Sequence, residues 1–206
     1  MKIYWLRKTE AHFQANCSLY AAAAALLFLG FLFGLAAPVT MDGASAAAVK
    51  GYIGNYLQTL PGGDFDKSAE LLRALACNGV LALLIWAFGL HVLGLAGIAA
   101  VLVYKGFGLG YAAGFLLNYQ GLAGASVILF GILPQNVIFV LLLAYLAVAA
   151  ARQSLRLWGR DFPRAALENL LSYGKALLRA AAALLLGAAL QGYICPVFLH
   201  MLYVLL

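Results

Sequence analysis

The sequence predicts an all-α fold, a polytopic membrane bundle of five transmembrane helices. Three observations lead there. Of the 206 residues, 66% are apolar and 10% are charged, whereas a soluble domain is nearer half apolar and a quarter charged. The apolar residues gather into runs of roughly 17 residues or more, the length needed to cross about 30 Å of hydrocarbon. The basic residues gather at the ends of those runs, where they decide topology. The net charge of +6 therefore belongs to membrane orientation, and nucleic acid is not an expected partner. The whole chain, 1–206, is expected to form a single integral membrane domain.

The first segment runs over about 19–37. Its exit, Leu35-Ala36-Ala37-Pro38, loosely matches a signal-peptidase site. The run is too long for a signal-peptide core, however, and further spans follow, so an uncleaved anchor is expected. Gly30 and Gly34 leave one face of this helix flat.

The loop that follows carries Lys50 and Lys67 against Asp42, Asp64, Asp66 and Glu70. Within it, Val49, Tyr52, Ile53, Tyr56, Leu57 and Leu60 repeat at helical spacing until Pro61-Gly62-Gly63 ends the pattern. This predicts an amphipathic helix on the external membrane face or capping the bundle. Such a helix either packs on its neighbours or offers a docking surface.

The second and third segments, about 71–90 and 94–117, form a tight hairpin with Gly89, His91 and Gly94 at the turn. Gly106, Gly110 and Gly114 follow one another at i+4. A face without side chains lets another helix backbone come close. That face serves either an internal packing seam or a homodimer or partner-helix interface.

The polar stop Asn118-Tyr119-Gln120-Gly121 leads to the fourth segment, about 124–151. Here Pro134 lacks an N–H and displaces the carbonyl of Phe130, four residues back. In a bilayer that carbonyl must find another partner, and Gln135 and Asn136 stand beside it. Beyond the segment, Arg152, Arg156, Arg160 and Arg164 recur every fourth residue as a basic stripe. The stripe suits anchoring to inner-leaflet lipids or attraction of an acidic cytoplasmic partner. The fifth segment, about 176–206, is long enough to contain a break.

Orientation follows from the cations. The N-terminal tail has Lys2, Arg7 and Lys8 against Glu10. The connector before segment five has the four arginines, Lys175 and Arg179 against Asp161 and Glu168. Five spans place both basic regions inside and the acidic loop outside, with the N-terminus in the cytoplasm and the C-terminus out.

Lys105 is the exception to this placement. It lies inside an apolar run, and no Asp or Glu occurs between Glu70 and Asp161. A cation at the bilayer centre costs at least about 2.5 to 3.5 kcal/mol unless it is paired, solvated or snorkelled. Counted from the outer ends of their segments, Lys105 and Pro134 lie at depths of roughly 18 and 15 Å. Neighbouring antiparallel helices would thus bring them level. Lys105 is expected to donate to the side-chain carbonyls of Gln135 or Asn136 and to the freed carbonyl of Phe130. Snorkelling, or a carboxylate brought by a partner, are the alternatives.

No catalytic, metal or cofactor set is legible. Cys17, Cys77 and Cys195 are scattered, as are His12, His91 and His200, and no HExxH, GxSxG or phosphate-binding motif occurs. The chain is not expected to be an enzyme or to need a cofactor.

Three motifs in order carry a resemblance. They are Tyr104-Lys105-Gly106-x3-Gly110-x3-Gly114-Phe115-Leu116-x-Asn118, Gly131-Ile132-Leu133-Pro134-Gln135-Asn136 and Tyr193-Ile194-x-Pro196-Val197. With them the chain resembles the stage II sporulation protein M family of endospore-forming bacteria, over nearly its whole length. Broader relatives have a His-Gly pair and a glutamate near the proline; here Gln135 and Asn136 are followed by apolar Val137 to Val140. The resemblance implies a five-span protein of the mother-cell membrane at the sporulation septum. It further implies a scaffold for stage II sporulation proteins D and P, which remodel peptidoglycan during engulfment. A transporter or permease-like role, with Lys105, Gln135 and Asn136 as a polar intramembrane site, is the alternative.

Overall fold

A computed structural model describes residues 13–59, 66–158 and 166–198. Among them the regular structure is entirely helical. Six α-helices are α1 (Cys17–Ala36), α2 (Gly43–Thr59), α3 (Lys67–Gly89), α4 (Gly94–Val127), α5 (Leu133–Trp158) and α6 (Ala166–Ala189). A 3₁₀ turn, Ala37–Thr40, follows α1 with Pro38 near its start. Two π-helical segments, Ile128–Ile132 and Leu190–Ile194, lie before α5 and after α6. Arg160 and Arg164 of the basic stripe, the Pro61-Gly62-Gly63 stop and residues 199–206 of the fifth predicted segment lie outside the described residues.

Among the described residues, four helical stretches are long and apolar enough to cross a membrane: Cys17–Thr40, Lys67–Gly89, Gly94–Leu157 and Leu170–Phe198. Two of the five predicted segments merge in the third stretch, which is 64 residues long. It is not straight. Gly121 interrupts it with φ 53° and ψ −125°, close to the first central position of a type II′ turn and open in practice only to glycine. Beyond it, Gly124 lies against the backbone carbonyl of Leu116. A continuous helix would hold Lys105 and Asn136 about 46 Å apart, yet their side chains share a hydrogen bond of 3.0 Å. At the far end, Ser154 Oγ donates to the carbonyl of His91 at 2.8 Å, beside the start of the stretch. The chain doubles back at Gly121.

α1 lies along the first leg of α4 with almost nothing between the backbones. A Cβ on Gly106 or Gly110 would collide with the carbonyl of Leu27 or Phe31, and one on Gly30 or Gly34 with that of Val103 or Phe107. Gly114 approaches the carbonyl of Leu35 in the same way. Partner numbers rise together along both helices, so the two run parallel. Both glycine faces are therefore occupied within one chain, by each other.

α3 starts at Asp66, whose carboxylate accepts from the N–H groups of Ser68 and Ala69 at 2.9 and 3.0 Å, an N-cap that satisfies two orphan donors. A tight turn joins it to α4, where Leu93 N–H donates to His91 Nδ1 at 3.1 Å. One core runs through the bundle, with Leu27 from α1, Ile85 from α3, Leu102 from α4, Leu143 and Leu146 from α5 and Ala176 and Ala180 from α6. Many core positions are alanine, which lets membrane helices pack closely. Large apolar side chains such as Phe28, Phe33, Leu83, Leu141, Leu178 and Leu185 face outward, as a lipid-facing surface requires.

Candidate functional site

The site forms where α3, α4 and α5 meet at Lys105. The Lys105 ammonium donates to Asn78 Oδ1 at 2.9 Å and to Asn136 Oδ1 at 3.0 Å. Each asparagine in turn donates its amide N–H to a carbonyl one helical turn back. Asn78 bonds Ala74 at 3.0 Å and Asn136 bonds Ile132 at 2.8 Å. These back-bonds orient the amides, with NH₂ held by the helix and the carbonyl aimed at the lysine. Beneath them the Phe139 ring, fully buried, lies 5.4 Å from the nitrogen, within cation–π range. Two neutral oxygens and a ring face thus hold the ammonium, and among the described residues no carboxylate takes part.

Pro134 explains why α5 presents its amides here. The π segment Ile128–Ile132 precedes it, and the carbonyls this irregular stretch leaves over are taken by side chains of its own helix. Gln135 Nε2 donates to Gly131 at 2.6 Å while Asn136 takes Ile132. The second π segment has the same relation to Pro196, ending two residues before it as the first does before Pro134.

The expected partners of Lys105 are thus corrected in part. Of the adjacent amides Asn136 alone reaches it. Gln135 is 6% exposed and turns away from the ammonium, its Oε1 accepting from the Cys195 thiol at 2.7 Å. Gln135 and Asn136 serve the carbonyls of Gly131 and Ile132, and the ammonium bonds Asn78 and Asn136 in place of the expected Phe130 carbonyl. Asn78 is not among the sequence-predicted partners, being neutral and far in sequence from Pro134. The available signal was a lone amide in the apolar run Ala74–Leu84, where a polar group at membrane depth needs a partner.

A cavity of about 730 Å³ opens beside the cluster, lined by Cys77, Asn78, Tyr104, Lys105, Asn136 and Gln191 among others. A second cavity, about 230 Å³, shares Ala112, Ile132, Gln135 and Gln191 with it and extends to Ile53 and Glu70. There Gln191 Nε2 donates to the Glu70 carboxylate at 2.7 Å. Together the two cavities run from the α2 side of the bundle to Lys105, with Glu70, Gln191 and Gln135 as polar groups in a mainly apolar wall.

α2 is tied to the bundle by polar contacts. Arg73 donates to the Tyr52 hydroxyl at 2.9 Å, and the Tyr111 hydroxyl donates to Met41 Sδ at 3.2 Å just before α2. Asp42 caps α2 by accepting from Ser45 N–H at 3.2 Å. Hydrogen bonds from the Ser45 side chain and backbone hold its carboxyl below the usual aspartate value. Of the basic stripe, Arg152 and Arg156 lie on α5 beside Arg179 of α6, around a further cavity. Among the described residues, no three His, Cys, Asp or Glu side chains come together as a metal set.

Compared with known families, residues 23–196 match the model of stage II sporulation protein M. No curated protein and no solved structure matches the chain.

Proposed function

The chain belongs to the stage II sporulation protein M family, a sporulation-related membrane protein, and on that premise we propose that it is the membrane scaffold of the engulfment machinery. In this reading it sits in the mother-cell membrane at the septum. There it positions stage II sporulation proteins D and P, which cut peptidoglycan on the outer side, and it cuts nothing itself. It crosses the membrane five times, N-terminus in and C-terminus out, with α2 outside. The observation that carries the reading is the fold-back at Gly121, because it turns four apolar stretches into five passes. The α3–α4 turn then falls on the side of the N-terminal cations, and α2 and Glu70 fall on the side where the enzymes work. α2 is the element best placed to meet them, being held against the bundle by Arg73 with Tyr52 57% exposed.

Fluorescent fusions of the two enzymes test this directly. They should concentrate at the septum of sporulating cells and disperse in cells lacking this chain, which should stall with flat septa. The purified chain should leave cell-wall sacculi intact. Hydrolysis by the chain alone, or normal enzyme placement without it, refutes the scaffold.

A second reading, a permease-like component, has one observation in its favour: the cavity of about 730 Å³ with a lysine in its wall. It predicts that a folded Lys105→Met protein still recruits both enzymes yet fails in engulfment. The scaffold reading predicts that placement and engulfment fail or survive together.

A further inference from the structure

We propose that the cleft between the ends of α5 and α6 is a binding site for a phosphate oxyanion, of the kind carried by an anionic phospholipid headgroup. The cleft is about 300 Å³ and is lined by Arg152, Arg156 and Gln153 from α5 and by Ser172 and Arg179 from α6, with Tyr145 at its inner side. Three guanidinium groups thus converge from two helices, and no carboxylate is among the lining residues. Guanidinium forks match phosphate oxygens in pairs, and basic pockets between membrane helices are known sites for lipid headgroups.

Two further features make this a built site. Arg179 is held in place by donating to the Tyr145 hydroxyl at 3.1 Å. Gln153 is 7% exposed, lines the cleft, and makes no hydrogen bond to another described residue. Its stem is covered while its amide is not sealed from the open cleft, where an anion would accept its N–H. The adjacent Ser154 shows the contrast, since its hydroxyl is taken up by the carbonyls of His91 and Val92 at 2.8 and 3.2 Å. The cleft therefore opens at the end of the bundle that holds the α3–α4 turn, at headgroup level. The site stands whichever leaflet this end faces and whether or not the chain is a scaffold.

The test uses the full chain in mild detergent with equal amounts of phosphatidylglycerol and phosphatidylcholine. Lipid that copurifies is measured by mass spectrometry. Wild type should retain phosphatidylglycerol over phosphatidylcholine by about fivefold or more, consistent with two or three charge-assisted contacts. Arg152→Gln with Arg179→Gln should bring the ratio near one, and the paired lysine variant should restore part of it. Gln153→Leu should lower retention with no change of charge. Lys50→Gln with Lys67→Gln, cations at the other end of the bundle, should leave it unchanged. In a second arm, inorganic phosphate is added to delipidated protein. Thermal stabilisation by phosphate with no lipid preference identifies a soluble phosphate as the ligand, and lipid preference identifies the headgroup. Equal retention by wild type and the arginine variants, with no effect of phosphate, overturns the proposal. So does binding that emerges only in Asp161→Asn with Glu168→Gln, because the cleft would then be filled by a carboxylate of the connector.

Discussion

At the scale of single residues, Lys105 is a partly buried cation whose partners among the described residues are neutral. The cluster is closed in the sense that each asparagine satisfies its N–H within its own helix and aims its oxygen at the lysine. Lys105→Met would leave two amide oxygens without a donor, each costing about 1–3 kcal/mol. Its melting temperature in detergent should fall clearly below wild type. The triple variant Asn78→Leu, Lys105→Met, Asn136→Leu removes the whole set together, and apolar replacement of an intact buried polar group is often neutral or stabilising. It should recover most of the loss. A triple variant no more stable than Lys105→Met would mean that the lysine's partners lie elsewhere. About half of this site was legible in the sequence. Depth counting along two helices placed Pro134, and with it Gln135 and Asn136, near the level of Lys105, because rise per residue is nearly constant in any α-helix. It could not choose between Gln135 and Asn136, since adjacent residues differ by about 100° around the axis and the π segment alters that phase. Asn78 lay on a helix whose rotation about its own axis only packing decides.

At the scale of elements, the α1–α4 seam and the break at Gly121 use glycine for different reasons, and the difference can be measured. Gly110 needs space, because its absent Cβ is where the Phe31 carbonyl sits. Gly108, two residues away on the same helix, meets nothing within 4 Å. Gly110→Leu should therefore abolish accumulation in the membrane, and Gly108→Leu should be tolerated. Equal tolerance of both would place the seam elsewhere. Gly121 has room for a Cβ but an unsuitable φ. Gly121→Ala should destabilise by about 1–3 kcal/mol, whereas Gly108→Ala in a regular helix should stabilise by about 0.5–1 kcal/mol. Opposite signs for one substitution, read as opposite shifts in melting temperature, isolate backbone strain, since neither position is crowded. The glycine spacing was visible in the sequence, but which helix it would meet was not, because i+4 small residues suit any partner backbone. The two π segments were invisible to apolar periodicity. Each ends two residues before a proline, Pro134 and Pro196, which cannot donate to the helix before it.

At the scale of the whole molecule, the parallel course of α1 and α4 constrains topology more tightly than charge does. Two helices that run parallel through one membrane are separated by an odd number of intervening passes, and α3 supplies one. The fold-back at Gly121 then sends α5 the opposite way, and α6 packs against α5 and α3. Composition made the apolar stretches legible at once, and the basic ends suggested their direction. The sequence left the third and fourth segments as two runs separated by a polar stop. In the structure helical hydrogen bonding continues almost to the reversal at Gly121, with Asn118 Nδ2 bonding the carbonyl of Gly114 at 2.8 Å. That residue supplies its own N–H partner inside the helix, so a polar side chain there does not end it. The topology yields a prediction at four points. Alkaline phosphatase, active only outside the cytoplasm, should be active when fused after Thr59 or Leu206 and inactive after His91 or Trp158. The His91 fusion decides most. Its turn receives the Ser154 hydrogen bonds from the far end of α5, so both must lie on the same side. Activity after His91 together with inactivity after Trp158 would break that pairing and the five-pass arrangement with it. A full inversion of all four results would keep the passes and reverse the orientation, putting α2 inside, away from the peptidoglycan that the scaffold reading requires it to face.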